Sequence, residues 1–472
     1  MREIIHISAG QCGNQIGSAF WDTISDEHGI DASGHLHKDK ACSASVDGYP
    51  VNGKLDVYYS ESGSRYIPRA VLVDLEPATL DAIRSGPRGD FYRPDNMVNA
   101  LASAGNNWAK GYYTEGSEIS ERVMDAIRRE VENTDHFQGF QLTHSLGGGT
   151  GSGLGSLLLS QIKDEYNDRI LASHSVFPSW DSDTVVEPYN SVLALAQLSE
   201  FTDETFCLDN HALYQIFQNV LKVPHPSHND LNGLIAKVMA GVTTTLRYPG
   251  QLNSDLRKLA VNLVPQSRLH FFTVGYSPLL APATNKFSNF GVSELAQQAL
   301  DGRSFLSGVN PHEGRYLSCG AFYRGKASVK EIEDEMTKFR QKNEQLFVDY
   351  IPDNVQTSLC PVAPRNVATA ATFVTNTTAV NQLLTRIREK FMKMWNRHAF
   401  VHWYEAEGME RMEFEEASEA LADLVRSYAD AQDPPDVQEV AVNGEYEDEL
   451  APEYQDEYPS YADNSLEAPM VE

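Results

Sequence analysis

The sequence predicts an α/β protein. A doubly wound, mostly parallel sheet is expected over residues 1–211, a second α+β unit over 212–386, and helices over 387–431. Three observations predict it. Strand-like and helix-like patterns alternate through the first half, as in sheets built from βαβ units. Glycine-rich turns follow directly on two of the predicted strands. Beyond residue 432 Pro, Tyr, Asp and Glu displace aliphatic residues, so 432–472 reads as a disordered acidic tail.

The expected strands of the first unit are 2–8, 70–74, 139–143, 170–177 and 205–208. Between them, apolar residues at helical spacing predict helices over 11–28, 118–133, 153–166 and 187–201. A second unit begins near His211. It opens on a long, largely buried helix near 229–246, and strands follow at 269–274, 316–323 and 370–374. Helices are predicted over 329–342 and 380–395, then an acidic amphipathic helix over 409–430. Residues 35–53 are polar and read as a surface loop.

A chain of 472 residues is long enough for two or three domains, and its 41% hydrophobic content is that of a folded protein. No run of about 18 apolar residues predicts a membrane span. The start, MREIIHISAG, reads as a first strand and not as a secretory signal. Cys12, Cys42, Cys207, Cys319 and Cys360 stand singly, which predicts reduced thiols and no zinc cluster. The net charge is −28, and no Lys or Arg follows Arg426, whereas 14 Asp and Glu do. That asymmetry argues against nucleic-acid binding through this end and for basic protein partners.

The stretch SLGGGTGSG, 145–153, lies between a predicted strand and a predicted helix. Without side chains in the way, backbone N–H groups there can converge on an anion, and the helix N-terminus adds partial positive charge. Ser145, Thr150 and Ser152 add hydroxyl donors. A P-loop would need Lys-Ser/Thr after the final glycine, and none is present. A second glycine turn, AGQCGNQIG, follows the first strand and places Gln11 and Cys12 at a helix start. VDLEP ends another strand with two carboxylates, and a carboxylate beside polyphosphate usually reaches it through Mg²⁺.

With GQCGNQIG, VDLEP, GNNWAKGYYTEG, LTHSLGGGTGSG, SDTVVEPYN, PGQLNSDLRKLAVNLVP and FVHWYEAEGMERMEFEEA in this order, the chain resembles the tubulin family from residue 1 to about 430. The resemblance implies a guanine nucleotide, GTP or GDP, bound at the sheet edge. Gln11 and Cys12 would lie at the phosphates, Glu76 would serve the nucleotide's Mg²⁺, and Asn106 would approach the terminal phosphate. Ser145, Gly149, Thr150 and Gly151 would form the glycine loop. Asp183 and Glu187 would lie near the ribose, and Asn210 and Asn232 would read the guanine edge. In the α class the loop at 252–258 ends in a glutamate that activates water at the neighbour's GTP. Lys258 stands there in this chain, as in the β class, and an ammonium is no general base at pH 7 unless its pKa is strongly lowered. The resemblance therefore implies no catalytic acid here, an exchangeable GTP hydrolysed when an α subunit docks, and cytoplasmic microtubules as the setting. Lateral neighbours would be further tubulins, and motors and associated proteins would use the acidic last helix, with Glu410, Glu413, Glu415 and Glu416, and the tail.

Several positions depart from the family pattern. His228 stands where the family stacks Tyr or Phe on guanine. Residues 264–268 and the lateral-contact loop at 278–290 differ from the usual versions, Thr245 replaces a cysteine, and 35–53 is several residues longer. Three alternatives follow. One is a nucleotide-dependent oxidoreductase, against which the spacing of the first glycine turn argues. Another is a GTP-binding, partner-sequestering tubulin that builds no normal microtubules. The third is a self-sufficient GTPase using Asp255.

Overall fold

The computed structural model describes residues 2–37, 39, 41, 53–179, 184–250, 255–280, 290–365 and 367–432. The chain opens with β1 (Glu3–Ala9) and α1 (Gly10–His28), then a hairpin of β2 (Tyr59–Ser62) and β3 (Arg65–Pro68). It continues through β4 (Ala70–Asp74), α2 (Pro77–Arg84), β5 (Met97–Asn99) and α3 (Glu115–Glu132). Next come β6 (Phe137–Ser145), α4 (Gly155–Glu165), β7 (Ile170–Phe177), α5 (Glu187–Phe201), β8 (Glu204–Asp209) and α6 (Asn210–Gln215). The rest comprises α7 (His228–Val242), α8 (Thr244–Arg247), α9 (Leu256–Leu263), β9 (Phe271–Ser277), α10 (Val292–Ala299), β10 (Tyr316–Gly325), α11 (Val329–Lys342), β11 (Val355–Cys360) and β12 (Thr369–Thr377). The helices α12 (Val380–Trp395), α13 (Val401–Glu405) and α14 (Arg411–Gln432) close it.

One sheet carries ten of the strands in the order β11-β10-β12-β9-β8-β7-β6-β1-β4-β5. From β5 to β9 every neighbouring pair is parallel. The chain winds outward from β1 to β4 and β5, then returns to place β6 on the other side of β1. The order therefore reverses at β1/β6, and the crevice at the carboxyl ends there is where open α/β sheets bind ligands. The ladder crosses the unit boundary placed at 211–212 through only two residue pairs, Thr205 with Phe271 and Phe206 with Phe272.

Both faces of the sheet are covered. Ile5 and Ile7 of β1 belong to one apolar core with α3, α4, α5, α12 and α14, whereas Ile4 belongs to a second core with α1 and α7. This explains why the central strands read as continuous apolar runs. The helix expected near 229–246 divides at Thr243. The hydroxyls of Thr243 and Thr244 bond back to the carbonyls of Met239 (2.9 Å) and Ala240 (2.6 Å). Such bonds compete with the helical ladder, and consecutive β-branched residues add to the effect.

A buried charge cluster ties α1 to α8 and β10. The Glu27 carboxylate meets Arg247 at 2.7 Å and Arg324 at 2.8 Å. Burial opposes ionisation of Glu27, but the Arg324 and Arg247 guanidiniums outweigh it and hold its pKa to about 2. Replacement Glu27→Gln strands two buried guanidiniums. It should cost about 3–5 kcal/mol, read as a fall in the urea midpoint; an unchanged midpoint would show that the cluster contributes nothing.

Three buried imidazoles stand on adjacent strands of the sheet, His6 on β1 and His174 on β7 facing one side and His144 on β6 facing the other. Burial lowers their pKa values to about 3, 4 and 3. Once unfolded they take up protons near pH 6.5. Their contribution is therefore complete above that pH and is lost progressively as pH falls below it. Urea midpoints should drop steadily from pH 6.5 downward, and replacing His174 by Phe should flatten that slope.

Candidate functional site

The turn from β1 into α1 and the turn from β6 into α4 touch. Gly10 has φ +75°, and a Cβ built on it would lie 3.0 Å from the Gly151 nitrogen. The missing Cβ of Gly10 lets these turns sit so close. Asn14, fully buried, locks the first turn by donating to the carbonyls of Gly10 (3.0 Å) and Val73 (2.9 Å), which fixes it against the end of β4. Gln11 beside it is exposed at the carboxyl edge of the sheet. Cys12 is half-buried, and burial pushes its thiol up to about 12, so it is a packing group and not a nucleophile.

The second turn begins a helical run at Gly149, whose first turn, Thr150–Leu154, is wound as a π-helix before α4. Buried His144 holds that turn: its Nδ1 donates to the Gly151 carbonyl and its Nε2 accepts from the Ser175 hydroxyl, both at 2.8 Å. Ser145 and Thr150 stay partly exposed, so hydroxyls and amides face outward at a helix N-terminus. The anion-cradle expectation for 145–153 thus has a physical basis that needs no lysine. Glu187, the first residue of α5, folds over the same loop; a Cβ on Gly147 would lie 2.5 Å from its Oε1. Asp183 lies outside the described residues.

At the end of β4, Asp74 is buried and Glu76 exposed. Burial pushes the Asp74 carboxyl above its usual range, against hydrogen bonds from the Glu76 backbone and the Thr79 hydroxyl, and its Oδ2 has no hydrogen-bond partner. A buried orphan carboxylate oxygen beside an exposed carboxylate is a reasonable seat for a hydrated divalent cation that takes its other ligands from phosphate. No group of three or more His, Cys, Asp or Glu with metal-holding placement occurs among the described residues.

Asn106 projects from the loop between β5 and α3. Gly105 and Asn106 both take left-handed backbone (φ +55° and +57°), and the Asn106 side chain is exposed. Farther along the edge, Asn210 begins α6 and Asn232 lies on α7, which packs against α1. Asn210 is half-buried and Asn232 is 8% exposed. His228 is exposed at the start of α7, its ring 6.2 Å from that of Tyr214 and edge-on to it.

Lys258 is not at this edge. It is exposed on α9, whose N-cap is Asp255. The Asp255 carboxylate accepts from the Lys258 backbone N–H (2.7 Å) and pairs with Arg2 (2.9 Å), the residue just before β1. The neighbouring Arg257 donates to the carbonyl of Asp168, just before β7. Both anchors stand at the amino ends of their strands. Residues 255–258 and the glycine turns therefore lie at opposite ends of the sheet, roughly 20 Å apart along a seven-residue strand.

A cavity of about 810 Å³ opens beside Gln11 between α1, α2 and α7. A second, of about 860 Å³, lies away from the glycine turns between α5, α9 and α14, with Glu200, Asp203, Glu413, Glu416 and Asp423 in its wall.

Sequence reasoning assigned no role to Asn14, His144 or Asn190, although each sits inside a quoted motif. Their function is to hold backbone, which leaves no pattern beyond residue type. Gly10→Ala puts a methyl group against Gly151 in a left-handed turn. Guanine-nucleotide affinity should fall at least about tenfold, at a stability cost of about 1–3 kcal/mol; retained affinity would remove this contact from the site.

Comparisons agree with the geometry. Residues 3–218 match the Tubulin/FtsZ family, GTPase domain, and residues 267–389 match the Tubulin C-terminal domain. The chain is 53% identical to a tubulin beta chain of Saccharomyces cerevisiae over 97% of its own length and 98% of the relative's. It is 54% identical to the tubulin beta-1 chain of Geotrichum candidum, covering 95% of this chain and 99% of that one. It is 52% identical to a tubulin beta chain of Aspergillus fumigatus, at 94% and 100%. With loops of this chemistry at the switch point and a match running almost end to end, the chain belongs to the tubulin family.

Proposed function

We propose that this chain is a β-type subunit that pairs with an α-tubulin, polymerises into cytoplasmic microtubules as a structural constituent of the cytoskeleton, and carries a GTP hydrolysed on assembly. One observation carries the reading: the phosphate-type turns and the start of α9, with Asp255 and Lys258, occupy opposite ends of one sheet. A subunit built this way can meet its own nucleotide with amides and hydroxyls, but not with the residues of its own cross-subunit loop. Stacking subunits end to end brings the loop of one to the nucleotide of the next, which couples hydrolysis to assembly.

In this reading Gln11, Cys12, Ser145, Gly149, Thr150 and Gly151 hold the phosphates, and Asn106 meets the terminal one. Asp183 and Glu187 reach the ribose. Asn210 and Asn232 read the guanine edge, since amides supply both donors and acceptors. Glu76, with Asp74 behind it, would hold Mg²⁺, which when bound neutralises phosphate charge. Lys258 takes no proton; it presents a cation to the adjoining subunit. Asp255 does not replace the missing acid, because its carboxylate caps α9 and pairs with Arg2. The acidic wall on α14 and α5 suits basic motor and microtubule-associated partners. The division into 1–211, 212–386, 387–431 and 432–472 is kept as part of this proposal.

The test is GTP turnover by the purified chain, alone and with an α-tubulin, with light scattering recorded in parallel. Turnover near zero alone, rising together with polymer when α is added, is expected. GTP binding without either rise would favour the sequestering reading, which the unusual 278–290 loop motivates. Substantial turnover by the isolated chain at low concentration would overturn the split site.

A further inference from the structure

We infer that Asn190, on the first turn of α5, is a positioning residue that sets both phosphate-facing loops at once and ties them to α13. The inference rests on the proposed reading of Asn106 and the glycine loop as phosphate contacts.

The Asn190 side chain is fully buried, and every hydrogen-bonding position it has is used. Its Nδ2 donates to the carbonyl of Asn106 (2.8 Å) and to that of Gly147 (2.9 Å). These carbonyls belong to two different loops, far apart in sequence and joined here by one amide. Its Oδ1 accepts from the Trp108 backbone N–H (3.0 Å) and from the Tyr404 hydroxyl (2.7 Å).

The Asn106 loop needs such a clamp. Two consecutive left-handed residues, one of them not glycine, form a turn that persists only when its surroundings hold it. Asn190 grips it from within, through the carbonyl of Asn106 and the N–H two residues on. From outside, the Asn107 Nδ2 donates to the Trp403 carbonyl of α13 (2.9 Å). The amide cannot be replaced by its nearest isostere. A carboxylate at 190 would have no donors and would set negative oxygens against two carbonyls. It would still accept from Trp108 and Tyr404. Asn190→Asp therefore breaks the two bonds to loop carbonyls and keeps the Trp108 contact and the outer link, whereas Tyr404→Phe breaks the outer link and keeps the rest.

The experiment compares Mg-GTP and Mg-GDP affinities of the chain paired with an α-tubulin, in the parent, Asn106→Ala, Asn190→Asp and Tyr404→Phe. Asn106→Ala should weaken GTP about tenfold and GDP by no more than about threefold, because its loop faces only the terminal phosphate; Asn190→Asp, which also frees the Gly147 carbonyl of the glycine loop, should weaken both nucleotides, GTP about tenfold more than GDP. Tyr404→Phe should shift the same ratio in the same direction by about threefold, since Asn190 is then held by one acceptor contact fewer. A folded Asn190→Asp protein that keeps the parent's GTP-to-GDP ratio, or loses both nucleotides equally, overturns the inference, the latter because it marks a merely structural role. Should Asn190→Asp fail to fold, Tyr404→Phe decides: an unchanged ratio overturns it, a GTP-selective loss supports it. If Asn106→Ala itself leaves the ratio unchanged, the phosphate reading of that loop has failed, and this inference fails with it.

Discussion

The contact between Gly10 and Gly151 is the constraint on which the site depends. Two strand-to-helix turns meet at the point where strand order reverses, close enough that a single methyl group would part them. From that contact follow the helix N-termini aimed at one crevice, the hydroxyls of Ser145 and Thr150 on its rim, and the carboxylates of β4 next door. Anion binding by amides and a helix dipole works only at short range, so a displacement of a few tenths of an ångström matters more here than at a lysine, whose long stem can adapt.

Neutral polar side chains maintain this arrangement. Asn14, His144 and Asn190 are buried, and each bonds to backbone carbonyls of the glycine turns or of the Asn106 loop. Charged groups in these places would carry a desolvation cost and would compete electrostatically with an incoming anion. Amides and a neutral imidazole avoid both penalties. The strong charges are placed elsewhere, in the Glu27 cluster between α1, α8 and β10, and in the pairing of Asp255 with Arg2.

The polarity of a parallel sheet gives the molecule two unlike ends. Its carboxyl end carries the turns, and its amino end carries α9 with Lys258. No local rearrangement brings them together, because the strands themselves separate them.

Much of this was legible in sequence, because the signals were local. Glycine density at 145–153 marks backbone that must come close to something, and continuous apolar strands mark a sheet covered on both faces. The residues proposed at the phosphates lie in turns whose spacing is itself the signal. Other features depended on residues distant in the chain. That Gly10 abuts Gly151, that Asn190 serves two loops and Tyr404 together, and that Asp255 is occupied by Arg2 are facts of three-dimensional proximity. The break at Thr243 was hidden because Thr243 and Thr244 satisfy a helical pattern until their hydroxyls turn back on the backbone. Sequence by itself determined which residues could bind an anion and which periodicity each segment would follow, since both reside in local chemistry. Only the tertiary structure decided which turns touch and which end of the sheet each charge occupies, because strand order and the return of β6 to β1 are set by packing across the whole chain.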